Sequence, residues 1–218
     1  MPTPTTQLIT LTDPRSPLAE AYRTLRTNLM FSSLEHPLTT LLVTSPAPEE
    51  GKSTTLANLA VTLAQGGRPT ILVDCDLRRP RLHEIFGVPA EPGLSNAILD
   101  KVDEPKLVAT GVENLSLLPA GAVPPSPADL LGSRRMEALI ANLKSRADFV
   151  LFDAPPVIAV TDAALLASQL DGVLLVVSAG RTQRDDAQRA KDLLEKIHVR
   201  LVGAVLTNAA VDRRLTAY

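Results

Sequence analysis

The sequence predicts an α/β domain in which a doubly wound, mostly parallel sheet has helices on both faces. Short β-rich segments alternate with longer helix-period segments from residue 39 onward. Several of these segments are continuously apolar, including residues 41–43 and 173–177, as expected for strands that are covered on both sides. The chain has 218 residues, 45% of them hydrophobic, which is enough for one core.

The first elements are expected at the N-terminus. Residues 1–15 are rich in Thr and Pro and have no period, so we expect an extended arm. A helix is expected from about 17 to 33, because Ser16 is suited to cap it, Pro17 to begin it and Glu20 to lie near its positive end.

This helix has two distinct faces in the sequence. One apolar stripe is expected to pack on the core, and a second, charged face is expected to point outward. The apolar stripe contains Leu18, Tyr22, Leu25 and Leu29, and the charged face contains Glu20, Arg23 and Arg26.

The remaining elements alternate along the chain. Strands are expected over residues 39–44, 70–74, 115–118, 148–153, 172–178 and 201–207. Helices are expected near residues 53–65, 95–100, 127–145, 161–169 and 182–197.

Composition excludes several classes of protein. A net charge of -2 gives no broad positive field, so binding to nucleic acid is not expected. Cys75 is the only cysteine, which indicates a reducing, cytosolic setting without a disulfide. No secretion signal and no apolar run near the ~20 residues of a membrane span are present, so we expect a soluble chain that reaches a membrane only through a partner.

The strongest functional motif is TSPAPEEGKST at residues 44–54, between a predicted buried strand and a predicted helix. Phosphates bind to N–H groups at a helix N-terminus, with a lysine that reaches the β- and γ-phosphates and a hydroxyl that ligates Mg²⁺. The motif therefore predicts a P-loop NTPase that binds ATP and Mg²⁺, although Pro46 occupies the position of the usual first glycine. The residues that we expect to contact the nucleotide are Pro48, Glu50, Gly51, Lys52, Ser53 and Thr54.

Three carboxylates follow two other predicted strands. Asp74 and Asp76 come after residues 70–73, and Asp153 ends the strand at 148–153. The carboxyl ends of parallel strands meet at one rim, so these acids should lie near Lys52. Asp153 is expected to hold Mg²⁺. Of the paired aspartates, one would serve the metal and the other would take a proton from an attacking hydroxyl.

Together these motifs resemble the cytoplasmic kinase domain of the bacterial tyrosine kinases that regulate capsule and exopolysaccharide export. The resemblance runs from about residue 8 to 208. It depends on SPLAEAYRTLR at 16–26, GKST at 51–54, VDCDLRRP at 73–80, residues 125–131 and DAPP at 153–156.

The resemblance implies a role for each motif residue. Lys52 would hold the transferred phosphate, with Ser53, Asp76 and Asp153 around Mg²⁺. Asp74 would activate the substrate tyrosine, with Lys52 and Asp76 completing the catalytic group. The residues Glu20, Arg23 and Arg26 would join subunits into a ring that presents the tail of one subunit to the active site of the next.

The resemblance also divides the chain and implies its partners. Residues 1–37 would be an arm and oligomerisation helix, residues 38–209 the P-loop kinase core, and residues 210–218 a short tail. The partners would be protein tyrosine substrates, other copies of the chain, and a membrane-spanning polysaccharide co-polymerase or activator. That activator would recruit the cytoplasmic chain to the inner face of the membrane.

Three positions depart from the family pattern. Glu49 replaces a glycine, so the loop would be stiffer or would repel phosphate. Asn208 is expected to contact adenine, although it lies one residue late, or to cap the strand end. The family carries a cluster of tyrosines at its C-terminus, whereas this tail has only Tyr218, which is the expected phosphoacceptor because Tyr22 should be packed.

Two other functions remain open from the residues. The first is a nucleotide-switched assembly ATPase of the partition or septum-positioning type. Ala47 argues against it, because those proteins carry a lysine five residues before the loop lysine. The second is a non-catalytic, nucleotide-binding scaffold, which Glu49 and the tyrosine-poor tail favour.

Overall fold

The computed structural model describes residues 8–32 and 37–210, which form one seven-stranded sheet with helices on both faces. The strands are β1 (Thr40–Thr44), β2 (Thr70–Asp74), β3 (Val108–Ala109), β4 (Leu115–Leu118), β5 (Phe149–Asp153), β6 (Gly172–Ser178) and β7 (Leu201–Thr207). The sheet order is β3-β4-β2-β5-β1-β6-β7, and every neighbouring pair is parallel except β3 and β4. The predicted fold class is confirmed.

The helices in the described part of the chain connect these strands. They are α1 (Ile9–Thr12), α2 (Pro17–Ser32), α3 (Lys52–Gln65), α4 (Leu82–Phe86), α5 (Leu94–Leu99), α6 (Pro127–Leu131), α7 (Arg134–Lys144), α8 (Asp162–Ala167) and α9 (Arg184–Lys196). None of them is long and apolar enough to cross a membrane.

The core has one layer on each face of the sheet. Strands β1 and β2 are buried along their whole length, because successive side chains enter opposite layers. Leu42 and Phe152 belong to the layer under α5, α7 and α8, whereas Leu41 and Leu151 belong to the layer under α3. This arrangement explains the continuous apolar runs in the sequence.

All six predicted strands are present, and one predicted helix is wrong in detail. The helix expected over 127–145 is divided into α6 and α7. Gly132 ends α6, and the Ser133 hydroxyl accepts a hydrogen bond from the Met136 N–H at the start of α7. The sequence prediction did not include α1, α4 or β3.

The described part of the predicted arm, residues 8–15, is not extended. Residues 9–12 form one helical turn, with Leu8 fully buried in the core layer that also contains α3. This turn is too short to show a hydrophobic period. It is held by contacts with α3 rather than by its own helix propensity.

The two faces of α2 also differ from the prediction. Leu18 is exposed at 50%, and Ala19 takes its expected place in the core. Arg26 does not point outward: its Nη1 donates a hydrogen bond of 2.8 Å to the Thr62 carbonyl in the last turn of α3. A cation there satisfies a terminal carbonyl and the negative end of the helix dipole, which explains the inward orientation.

Candidate functional site

The predicted phosphate loop lies between β1 and α3, at the carboxyl edge of the sheet. Gly51 has a φ of 89°, a left-handed conformation that favours glycine, and the 14-residue helix α3 begins at Lys52. Lys52 and Ser53 are buried, whereas Thr54 and Pro48 are exposed. The free N–H groups at the start of α3 make this a site for an anion.

Glu50 supports the loop from within. Its carboxylate, 1% exposed, accepts hydrogen bonds from the Ala47 N–H at 3.0 Å and from the Thr182 hydroxyl after β6. The Thr207 hydroxyl donates to the Glu50 carbonyl at 2.8 Å. The side chain of Glu50 therefore fixes the loop to the segment after β6, and its carbonyl fixes it to the end of β7. Only its main-chain N–H remains available for a nucleotide.

Glu49 lies on the exposed rim of the loop. Its φ is 60°, a left-handed conformation that glycine adopts more readily. Its carboxylate forms an ion pair of 2.7 Å with Arg181, and the same arginine donates to the Glu49 carbonyl at 3.2 Å. The hydrogen bond and charge of Arg181 lower the pKa of Glu49, so it carries a negative charge beside the loop.

Lys52 joins the loop to two of the predicted carboxylates. Its Nζ lies 2.9 Å from an Asp76 oxygen and 3.5 Å from Oδ1 of Asp153. Burial alone would lower the pKa of Lys52, but the charges of Asp153 and Asp76 outweigh burial and raise it. Lys52 is therefore held in its charged form within a negative site.

Asp74 and Asp153 end neighbouring parallel strands and are paired directly in register. Asp76 is beyond the end of β2, so the strand does not extend far enough to place both aspartates on one face. The turn brings them together instead, and the Asp76 N–H donates to Oδ1 of Asp74 at 3.2 Å. The structure thus brings the three predicted carboxylates and Lys52 to one place.

The carboxylate of Asp74 is fully buried and bound by main-chain N–H groups. Its Oδ2 accepts hydrogen bonds from Arg81 at 3.0 Å and Leu82 at 2.9 Å. Burial, followed by the charge of Asp153, raises the pKa of Asp74 to about 8. A carboxylate with this pKa can gain or lose a proton near neutral pH.

Asp153 has unused acceptor capacity. Neither carboxylate oxygen has a hydrogen-bond partner of normal geometry, although both are buried. Burial raises its pKa more than the Lys52 charge and the nearby Ser53 hydroxyl lower it. Unpartnered buried oxygens beside a serine hydroxyl and the Asp76 carboxylate fit Mg²⁺, which takes oxygen ligands and often uses only one or two protein carboxylates.

Asn208 lies directly after β7 and is exposed. Its φ is 53°, and its side-chain amide donates a hydrogen bond of 2.8 Å to the Ser178 hydroxyl at the end of β6. This contact fits the strand-end role. Tyr218, the predicted phosphoacceptor, lies outside the described residues.

Sequence reasoning missed two supports of the site. Arg78, just after Asp76, forms a bidentate pair with the fully buried Asp162, with distances of 2.9 and 3.0 Å. Thr182 bonds to Glu50, as described above. Each pair joins positions more than 80 residues apart, so no local signal in the sequence could have found it.

Comparisons with known proteins agree with this geometry. The family model ParA, described as NUBPL iron-transfer P-loop NTPase, matches residues 39–211. The chain is 39% identical to the tyrosine-protein kinase YwqD of Bacillus subtilis, over 94% of this chain and 87% of that protein. It is 38% identical to the putative tyrosine-protein kinase CapB of Staphylococcus aureus, over 94% and 90%. The solved kinase domain of the Escherichia coli tyrosine kinase ETK superimposes with a TM-score of 0.88 at 30% identity, over 97% of this chain and 85% of that one.

The loop, its lysine and the strand-end carboxylates define a nucleotide-binding P-loop NTPase of the ParA type. Within that class the chain belongs to the family of bacterial tyrosine-protein kinases. The predicted resemblance and the predicted class of enzyme are confirmed.

Proposed function

We propose that this site transfers the γ-phosphoryl group of ATP to tyrosine hydroxyls, and that the chain thereby regulates capsule or exopolysaccharide synthesis. The single observation that carries the proposal is the meeting of Lys52 with Asp74, Asp76 and Asp153 at the start of α3. Phosphoryl transfer depends mainly on positioning and on neutralising charge, and this group of residues supplies both.

The phosphates would lie at the N-terminus of α3, bound by main-chain N–H groups from Glu50 to Thr54, with Pro48 at the edge of the loop. Lys52 is already charged and buried there, so it would exchange part of its contact with Asp76 for the phosphate oxygens. Asn208 would contact the adenine once its amide leaves Ser178.

Ser53, Asp76 and Asp153 would hold Mg²⁺. When bound, the ion would neutralise charge on the phosphate oxygens. The buried oxygens of Asp153, which accept no hydrogen bond of normal geometry, supply the acceptor that this role requires, and the Ser53 hydroxyl lies beside them. Asp76, which contacts Lys52 in this structure, would then turn part of its carboxylate toward the ion.

Asp74 would take the proton from the tyrosine hydroxyl, for which a pKa near 8 is suited. Its oxygens are covered by the main chain of residues 76–82, because Asp76, Arg81 and Leu82 all donate to them. A tyrosine would therefore reach Asp74 only when that loop opens. While the loop is closed, the carboxylate in contact with Lys52 is that of Asp76 rather than that of Asp74.

Subunit assembly would use the charged face of α2. Glu20 is 65% exposed at its side chain and pairs with Arg23 at 2.8 Å, so this pair can be exchanged for contacts with another copy of the chain. Arg26 would act through its contact with Thr62. A ring of this kind would present Tyr218 to a neighbouring site, and a membrane-spanning co-polymerase would recruit the cytoplasmic chain.

The test is transfer of phosphate to a tyrosine-rich peptide in the presence of ATP and Mg²⁺, detected with a phosphotyrosine antibody. Lys52→Met should reduce the rate at least about 100-fold, because the charge at the transferred group is lost. Lys144→Met is the matched control, since Lys144 is also an ion-paired lysine but contacts Asp171 before β6. Bound ATP without any phosphotyrosine, or full activity in Lys52→Met, would contradict the proposal.

A further inference from the structure

The N-terminal segment, residues 8–32, contacts the phosphate-loop helix α3 through polar groups as well as apolar ones. Thr10 donates to Oδ1 of Asn58 twice, from its main-chain N–H at 3.2 Å and from its hydroxyl at 2.9 Å. Burial raises the pKa of Tyr22, and the nearby Thr55 side chain offsets only part of this rise. The contacts at Thr55 and Asn58 thus lie in the first two turns of α3, close to Ser53 and Thr54.

Asn58 links this segment to the phosphate loop. Its Nδ2 donates to the Thr54 carbonyl at 2.9 Å, while its Oδ1 accepts both bonds from Thr10. Asparagine is a poor residue for the middle of a buried helix, and Asn58 is only 1% exposed. The buried amide is tolerated because both of its polar atoms are hydrogen-bonded, Oδ1 to Thr10 and Nδ2 to Thr54.

Tyr22 of α2 makes a second polar contact with α3, at Thr55, the residue after Thr54. Thr55 is 1% exposed, and its side chain lies close to the half-buried Tyr22. Thr55 also donates its N–H to the Gly51 carbonyl at 2.8 Å, which is the first turn of the phosphate-loop helix. Tyr22 of α2 therefore lies beside the first turn of the phosphate-loop helix.

We propose that Thr10, Asn58 and Tyr22 are positioning residues for the nucleotide, and that docking of residues 8–32 on α3 and nucleotide binding favour each other. The contacts hold the turn that carries Ser53 and Thr54. Displacement of residues 8–32 from α3 would therefore lower the affinity of the loop for nucleotide. Because coupling between two equilibria is reciprocal, bound nucleotide also holds the segment more tightly. The proposal depends on the proposed placement of the phosphates at residues 51–54.

A matched pair of threonines in α1 allows a direct test. Thr10→Val removes the hydroxyl that bonds to Asn58, whereas Thr12→Val removes a hydroxyl that bonds only to the Leu8 carbonyl. Tyr22→Phe removes the hydroxyl close to Thr55 without changing the size of the ring. Thr10→Ser restores a hydroxyl at the first link.

The measurement is the dissociation constant for ADP with Mg²⁺, by calorimetry, together with KM and kcat for the peptide reaction. Thr10→Val and Tyr22→Phe should each weaken binding about fivefold and raise KM for ATP with little change in kcat. Thr12→Val and Thr10→Ser should bind as the wild type does. Wild-type binding by Thr10→Val and Tyr22→Phe, even with a lower melting temperature, would overturn the proposal, because the contacts would then only stabilise the fold.

Hydrogen exchange provides the reciprocal test. ADP with Mg²⁺ should slow exchange of main-chain amides in residues 8–32 in the wild type, and less so in Tyr22→Phe. Protection confined to the phosphate loop would contradict the coupling. The dissociation constant and the exchange rates need only nucleotide binding. A wild-type chain that binds ADP and fails to phosphorylate tyrosine would therefore refute the proposed function and leave this proposal standing.

Discussion

The nucleotide-free protein should lose stability as the pH rises from 6 to 8, because Asp74 keeps a proton when the chain is folded. Burial and then the charge of Asp153 raise the pKa of Asp74 from 3.8 to about 8. Between these values the folded protein holds a proton that the unfolded chain has released, so the free energy of unfolding falls with increasing pH. One such proton gives a slope of roughly 1 kcal/mol per pH unit, or about 2 kcal/mol over this window.

The other shifted carboxylates do not reverse this slope. The pKa of Asp153 is also raised by burial, so it contributes with the same sign. The pKa values of Glu49 and Asp171 are lowered, and their stabilisation is lost only on acidification below about pH 5. The pKa of Lys52 is raised, so its contribution is lost only above about pH 10.

The assay is urea unfolding at a series of pH values, followed by circular dichroism because the chain contains no tryptophan. In Asp74→Asn the decline should be much smaller, since the side chain keeps its size but no longer titrates. Addition of ADP and Mg²⁺ should also flatten the curve of the wild type, because a bound cation favours the charged carboxylates. A free energy of unfolding that rises from pH 6 to 8, or the same slope in Asp74→Asn, would show that Asp74 does not hold a proton in the folded protein.

Three further changes test other parts of the structure. Gly93→Ala should lower the free energy of unfolding by about 3 kcal/mol or more, because the new Cβ would lie 2.3 Å from the main chain at residues 119 and 121. Gly132→Ala is the control, with 3.4 Å to the nearest neighbour of its Cβ, and it should cost little in the same unfolding assay. Glu49→Gln should tighten ATP binding about two- to threefold in calorimetry at low salt, by removing a charge from the rim; unchanged affinity would count against that role. Asp153→Asn should abolish the Mg²⁺ dependence of nucleotide binding, and dependence equal to that of the wild type would exclude it as a ligand.

The fold could be predicted where sequence signals are local and repeated. Buried parallel strands such as β1 and β6 are continuous apolar runs, and they were placed within a residue of their observed bounds. By contrast, β3 has only two residues at the antiparallel edge of the sheet, and α1 has four. Elements of this length have no period, and contacts with distant residues, such as Thr10 with Asn58, determine them.

The site could be predicted as far as its motifs extend. Lys52, Asp74, Asp76 and Asp153 were placed together because the topology of a parallel sheet brings strand ends to one rim. The orientation of Arg26 could not be predicted. Its bond to Thr62 outweighs the helical period, which had suggested an exposed charged face.

Intact mass spectrometry with fragmentation shows whether this site transfers phosphate from ATP to tyrosine. The wild-type chain is incubated with ATP and Mg²⁺, alone and with a tyrosine-rich peptide, beside Lys52→Met. We expect the peptide to gain phosphate on tyrosine and the chain itself to gain phosphate at Tyr218 rather than at the half-buried Tyr22. No such gain should occur in Lys52→Met. Consumption of ATP by the wild type with no phosphate on any tyrosine would contradict transfer to tyrosine and favour an assembly ATPase.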